Sequence, residues 1–417
     1  MQAEIVTIGT ELLLGEIVDT NSAWIAQQLT TIGLNLYYTT TVGDNLQRIS
    51  EVLRYSLQRS DVVITTGGLG PTVDDMTREA VAAATDRELV FDEELLQEIA
   101  CFFARRNYPM TQNNRSQACR PAGARVIHNP VGTAPSFAVE HNGHVIISLP
   151  GVPFEMKYLM EHEVLPYLRE RFGLRGIIKS RTLRTCGIGE SMIGSRIDDL
   201  MRLSNPTVGT AAHPGQTDVR VTVKAESIAE ADALIAPVEQ ELRARLGDYV
   251  YGVDQETLSD ALTRLLLERG LRLALAETVT HGELSRWLSE TRGAERAFAG
   301  GTTLVGEDAL LGSLDVPAGL VGQYGLASQE TADAVAEAVR RAHKADLGLA
   351  VIGVETSVST EAPEGAPPVY FSLAVDGHII RGEPRQGRTG VSGRGWLMHL
   401  ALDMVRRHLL GLQANQT

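Results

Sequence analysis

Two adjacent carboxylates, Asp74 and Asp75, follow a glycine-rich turn in TTGGLGPTVDDMTREA (65–80). Gly67, Gly68 and Gly70 permit a sharp turn and a close backbone approach to a ligand. Thr72 and Thr77 add hydroxyls. A helix opening near Thr77 offers free N–H groups and the positive end of its dipole, a setting for phosphate. Two carboxylates would repel that phosphate unless a divalent cation stood between them. Mg²⁺ or Mn²⁺, bound by hard oxygens and bridging to phosphate, resolves the conflict. The plainer alternative is that Asp74 or Asp75 only caps the helix. A second stretch, GTELLLGEIVDTN (9–21), carries Gly9, Thr10, Glu11 and Asp19, and VGD (42–44) ends on Asp44. Neighbouring parallel strands deliver their ends to one sheet edge, so Glu11, Asp19 and Asp44 can join one acidic cluster. For Glu11 and Asp19, a capped helix start with a solvated Glu is the competing account.

A third stretch, ALAETVTHGE (274–283), places Glu277, Thr278, Thr280 and His281 where an apolar strand meets a helix. A Thr hydroxyl can serve as nucleophile and a His as its base. Otherwise His281 is a helix-start or surface residue.

Elements able to position these groups alternate along the chain. Strands are expected at 3–9, 34–42, 61–68 and 144–151, and helices at 20–33, 45–60, from 77, and at 152–172, with Asn21 or Ser22 as the first helix cap. This order predicts an α/β fold with a doubly wound sheet and ligands at the carboxyl ends of its strands. Residues 173–252 read as a small α+β module. Residues 253–412 read as a further α/β domain, with strands at 271–277, 347–354 and 370–377. Helices there are expected at 259–270, 328–343 and 395–410, the second capped by Ser328 or Thr331, and the loop 356–368 is polar and rich in Pro and Gly.

Composition sets bounds. A chain of 417 residues exceeds one ordinary domain. Hydrophobic residues are 43% and charged residues 22%, and no run approaches the roughly 18 apolar residues of a membrane helix. The opening residues read as a strand and not as a signal peptide. Three separated cysteines support neither a disulfide framework nor a zinc site, which points to a cytoplasmic protein. A net charge of −14 argues against a global nucleic-acid footprint.

GTELLLGEIVDTN (9–21), TTVGDN (40–45), TTGGLGPTVDDMTREA (65–80), NNRSQA (113–118), NPVGTAPSF (129–137) and LPGVPFEMK (149–157) occur in the order and spacing of a known family. The chain resembles the competence/damage-inducible protein CinA family. That resemblance implies a MoaB/MogA-like domain over 1–172, similar to molybdopterin-binding domains, a KH-like linker over 173–252 and a CinA C-terminal domain over 253–412. Ser136 stands where the family usually has Gly. The implied activity is metal-dependent hydrolysis of ADP-ribose to AMP and ribose 5-phosphate, with Mg, Mn or Co. Glu11, Asp44, Asp74 and Asp75 would hold metal and activate water, with Glu155 a further acidic candidate. Gly9, Thr10, Gly67, Gly68, Gly70, Thr72, Thr77, Asn114, Thr133 and Lys157 would bind substrate. A homodimer without membrane or nucleic-acid partners is implied. In the linker, GIGES (187–191) falls where a KH domain carries its phosphate-holding loop, but Glu190 sits in the turn and only Arg184 and Arg196 lie near.

The C-terminal domains of this family commonly deamidate nicotinamide mononucleotide. LALAETVTHGELSRWLSET (273–291) matches their active segment, keeping Glu277, Thr280 and Gly282. The family's Ser, Cys and one Gly are Thr278, Val279 and His281 here. Val305, Glu307 and Leu310 align with the family's Tyr, Asn and Lys, and Glu355 enters the aligned anion loop. Arg394 matches one late arginine, while Arg388 is displaced from the other. An amidase built on Ser and Lys needs the amine to take the hydroxyl proton, which Leu310 cannot do. The expectation is a degenerate second site, with deamidation through Thr278, or nucleotide or pterin binding without turnover, as alternatives.

Overall fold

The computed structural model describes residues 1–354, 367–386 and 390–412, except for the side chains of 307, 308, 310 and 390–392. The chain forms two compact units, Met1–Lys179 with Val223–Ala233, and Ser180–Thr222 with Leu234–Thr417. Among the described residues no helix is long and apolar enough to cross a membrane.

The N-terminal strands are β1 (Gln2–Ile8), β2 (Asn35–Val42), β3 (Val62–Thr66), β4 (Leu89–Phe91), β5 (Cys119–Pro121), β6 (Arg125–Ile127), β7 (Ser136–His141) and β8 (His144–Leu149). Six of them form a sheet in the order β2-β1-β3-β8-β7-β6. Four are parallel, and β7 and β6 extend the sheet antiparallel. Alternation explains their near-continuous apolar runs, since both sheet faces are covered. Ala3, Ile5, Ile64 and Ile147 join one core with Ile25, Leu29 and Leu159. Val6, Ile8, Val63 and Ile146 join the opposite core with Ile49, Leu53 and Ala80.

Local chemistry departs from expectation in three places. The first helix, Thr20–Thr30, is capped by Asp19, which accepts from Ser22 N, and not by Asn21 or Ser22. The helix expected over 152–172 is split by a π turn at Met160–Val164, ahead of Pro166, which has no N–H to give to the preceding turn. Strands β4, β5, β6 and β7 fall outside the strands expected from periodicity.

The middle module has strands β9 (Ile177–Cys186), β10 (Thr207–His213), β11 (Gln216–Ala225) and β12 (Val250–Val253), ordered β10-β11-β9-β12, with helices Glu190–Met201 and Ile228–Leu246. Glu190 accepts the Thr210 hydroxyl at 2.8 Å. The C-terminal domain has β13 (Leu273–Glu277), β14 (Phe298–Thr303), β15 (Leu347–Ile352), β16 (Pro368–Val375), β17 (His378–Arg381) and β18 (Arg385–Gln386). Its main order is β14-β13-β15-β16-β17, with β14, β13 and β15 parallel. Ser328 caps helix Gln329–Ala342 by accepting from Thr331 N, as the sequence predicts.

Candidate functional site

The ends of β1, β3 and β8 open onto a cleft of about 520 Å³. Gly9, Glu11, Asp44, Gly67, Gly68, Gly70, Thr72, Asp74, Asp75, Thr133 and Glu155 all line it. Gly67 has φ +105 and donates its N–H to Leu149 O, tying β3 to β8. Gly68 follows with φ +65.

Backbone accounting shows which way the 67–70 loop faces. Thr77 donates its hydroxyl to Gly67 O at 2.8 Å and its N–H to Gly68 O at 3.1 Å. Arg78 donates to the carbonyls of Leu69 and Gly70. The carbonyls are thus held from within. Among the described hydrogen bonds, the amides of Gly68 and Leu69 have no protein partner. Two adjacent unpaired amides suit an anion.

Asp75 shapes the same loop. Its Oδ1 accepts Gly70 N at 2.8 Å, and its Oδ2 accepts Thr72 N at 2.8 Å and the Thr72 hydroxyl. Neither Asp74 nor Asp75 caps the helix at Thr77, whose cap residue is Met76. Asp74 is exposed. Asp44 Oδ2 accepts the N–H and hydroxyl of Thr10, at 2.9 and 2.8 Å. Asp19 spends its oxygens on Thr7 and Ser22, so this cleft residue is a structural cap.

Among the described residues no group of three or more His, Cys, Asp or Glu is set to hold a metal. The charged side chains of the lining are all carboxylates, and Glu11 and Asp44 Oδ1 accept no described protein hydrogen bond. Mg²⁺ takes one or two carboxylates with phosphate oxygens and waters. The donor set fits a cation that arrives with a diphosphate better than one held permanently.

Four expected binding residues stand away from the cleft lining. Thr10 orients Asp44, and Thr77 braces the loop. Buried Asn114 donates to Gln117 at 2.9 Å, and Gln117 reaches Thr133 at 3.4 Å. Lys157 lies over the Trp24 ring, 5.7 Å from its centroid. Arg78 and Gln117 escaped sequence reasoning, although both lie inside quoted motifs. Asn21 also lines the cleft, and its Oδ1 is buried without a described partner.

Glu155 is half-buried, donated to by Asn129 at 2.6 Å. Burial pushes its carboxyl above the usual range, against the Asn129 donor. A raised folded pKa means the unfolded state loses its proton first. Stability therefore falls as pH rises from the ordinary carboxylate value through the folded one. Glu155→Gln keeps an acceptor for Asn129 and removes that loss. The expected result is a higher denaturant midpoint than wild type at about pH 8 and no difference near pH 3, below both pKa values.

The second site is a braced turn. Glu277 is fully buried and accepts from the Thr280 hydroxyl at 2.6 Å, Leu284 N at 3.2 Å, and Ser285 N and hydroxyl at 3.0 and 2.5 Å. Thr278 donates its hydroxyl to Gly353 O at 2.8 Å and accepts Gly353 N at 2.9 Å. A base would have to break the first of these bonds to activate Thr278. His281 is exposed with φ +50. Arg394 pairs with Glu283 at 3.2 Å. The side chains of 307 and 310, together with Glu355, Arg388 and the loop 355–366, lie outside the described residues. Glu277→Gln puts a donor among four donors. It should cost about 2–3 kcal/mol in urea unfolding and leave the N-terminal cleft's chemistry unchanged.

The cleft and the braced turn belong to a chain of three recognised parts. Family models match at residues 4–170 (probable molybdopterin binding domain), 180–252 (damage-inducible protein CinA KH domain) and 255–409 (CinA C-terminal domain). A putative competence-damage inducible protein of Symbiobacterium thermophilum is 41% identical, over 99% of both chains. A CinA-like protein of Dictyoglomus turgidum is 39% identical, over 99% of this chain and all of its own. The crystal structure of the protein CinA with unknown function from Thermoplasma acidophilum covers 41% of this chain and 97% of its own, at 36% identity and TM-score 0.37. The chain belongs to the CinA family of competence-damage inducible proteins.

Proposed function

We propose that the N-terminal cleft hydrolyses ADP-ribose to AMP and ribose 5-phosphate with a divalent cation. The observation that carries this is one cleft lined both by carboxylates and by Gly68 and Leu69, whose amides have no described partner. One or two of Glu11, Asp44 and Asp74 would contact a Mg²⁺, Mn²⁺ or Co²⁺ that arrives with the substrate and would neutralise the diphosphate charge. The two amides receive phosphate oxygens. Water adds to one phosphorus, and the bridging P–O bond breaks. The departing phosphate keeps the bridging oxygen. Glu155, whose carboxyl burial raises above the usual range, would take the proton from water.

Purified protein incubated with ADP-ribose and Mg²⁺, Mn²⁺ or Co²⁺ should release AMP and ribose 5-phosphate in equal amounts, and EDTA should stop it. Saturable ADP-ribose binding with no products under any of the three metals would reject hydrolysis and leave a binding protein.

A further inference from the structure

Arg78 is one of the largest fully buried side chains in the protein, with 1% of its surface exposed. Its guanidinium donates to the carbonyls of Leu69 and Gly70, and Nε is buried with no described partner. Among the described residues no carboxylate forms a salt bridge with it, although the nearby charges of Glu79 and Asp75 favour its ionised form. Burying an unpaired cation is costly, and a guanidinium does not escape by losing its proton. An apolar side chain of similar length would fill the space more cheaply. Loop bracing alone does not explain the charge, since neutral donors already hold neighbouring carbonyls. Thr77 holds those of Gly67 and Gly68, and Gln117 also reaches Leu69 O.

The placement does explain it. The peptide units that end in the free Gly68 and Leu69 amides have their carbonyls hydrogen-bonded by Thr77. The next two carbonyls along the loop are held by Arg78. The units that Arg78 holds end in Gly70 N, which Asp75 accepts, and in Pro71, which has no N–H, so Arg78 reaches the free amides through its charge: a full charge in a water-poor interior acts over longer range than a surface one.

We propose that Arg78 is a positioning residue that serves as the fixed positive charge behind the 67–70 loop, tuning it to bind a phosphate dianion. The role presupposes phosphate in the N-terminal cleft. Arg78 does not line that cleft and acts through the loop. Charge on the ligand, and not shape, is what it discriminates.

Calorimetry with AMP and with adenosine, on wild type, Arg78→Met and Arg78→Lys, tests this, with thermal unfolding in parallel. Arg78→Met should weaken AMP binding roughly tenfold or more, leave adenosine binding unchanged and lower Tm only modestly, since the Leu69 and Gly70 carbonyls lose a donor. Arg78→Lys, which keeps the charge, should recover much of the AMP affinity. A purely structural residue would lose AMP and adenosine binding together with Tm. That outcome, or unchanged AMP binding in Arg78→Met, overturns the proposal. If Arg78→Met does not fold, Arg78→Gln decides, because it keeps a donor for the loop carbonyls and removes the charge: unchanged AMP affinity in it contradicts a role for the buried charge. Failure of wild type to bind AMP at all would instead reject the cleft as a phosphate site.

Discussion

Asp74→Asn and Asp75→Asn should each cut AMP release from ADP-ribose by about a hundredfold or more, and they should do so in different ways. Asp75 is loop architecture. Its two oxygens accept Gly70 N, Thr72 N and the Thr72 hydroxyl. An Asn there points an NH₂ at one of those donors, costing about 1–3 kcal/mol and turning the loop away from phosphate. Asp74 is exposed and accepts no amide that shapes the loop, so Asn in its place removes charge from the rim and little else. Steady-state kinetics with urea unfolding separates them. Asp75→Asn should lower both activity and midpoint, and raising the metal concentration should not restore it. Asp74→Asn should keep the midpoint and regain part of its activity at high metal. Full activity in Asp74→Asn would remove Asp74 from the cation site.

Gly67→Ala should destroy the site through the backbone. A Cβ at residue 67 would stand 2.1 Å from Ile8 O, a main-chain atom fixed in β1. Its φ of +105 is itself unfavourable for any L side chain. The strand end cannot retreat, because Gly67 N is bonded to Leu149 O and residue 67 lies between β1 and β8. The combined clash and strain should cost about 3 kcal/mol or more, with loss of AMP release and of soluble protein at 37 °C. Gly15→Ala is the control. Its φ is also positive at +72, but nothing lies within 4 Å of the added Cβ. It should show only the smaller cost of strain. Equal midpoints for Gly67→Ala and Gly15→Ala would show that the strand ends are not packed as described.

Much of this was legible in the sequence because periodicity and motif order are local. The runs EIVTI and VVITT are rich in β-branched residues and become strands buried on both faces. The glycines of TTGGLG and the acids of DD announced a turn and a charged rim, and both stand at the cleft. What the sequence could not assign was the job of each polar group. Asp75 and Asp74 are neighbours of one type, yet one closes a loop and the other is exposed. Asp19 looked like part of the acidic cluster and is a cap, because the Thr7 and Ser22 hydroxyls meet it from β1 and the next helix. Lys157 and Asn114 lie in motif segments but stand away from the cleft lining, which only the helix rotation and a buried side-chain chain through Gln117 reveal. Arg78 was hidden for the opposite reason. An Arg in the first turn of a helix reads as solvent-exposed, and its burial arises from the loop folding back over it.

The C-terminal turn follows the same logic. The retained Glu277 has a structural task independent of catalysis, bracing the turn through four donors. Its presence is therefore no sign of surviving chemistry. The two hydrogen bonds between Thr278 and Gly353 support a retired site.

The most direct measurement is a paired product assay on the full chain. Wild type, Asp74→Asn and Thr278→Val are each given ADP-ribose and, separately, nicotinamide mononucleotide, with Mn²⁺ and with EDTA, following AMP and ammonia. The predicted result is Mn²⁺-dependent AMP release in wild type and Thr278→Val, its loss in Asp74→Asn, and no ammonia from any of the three. Ammonia from wild type that persists in EDTA and disappears in Thr278→Val, with no AMP, would contradict it and move the working site from the N-terminal cleft to the C-terminal turn.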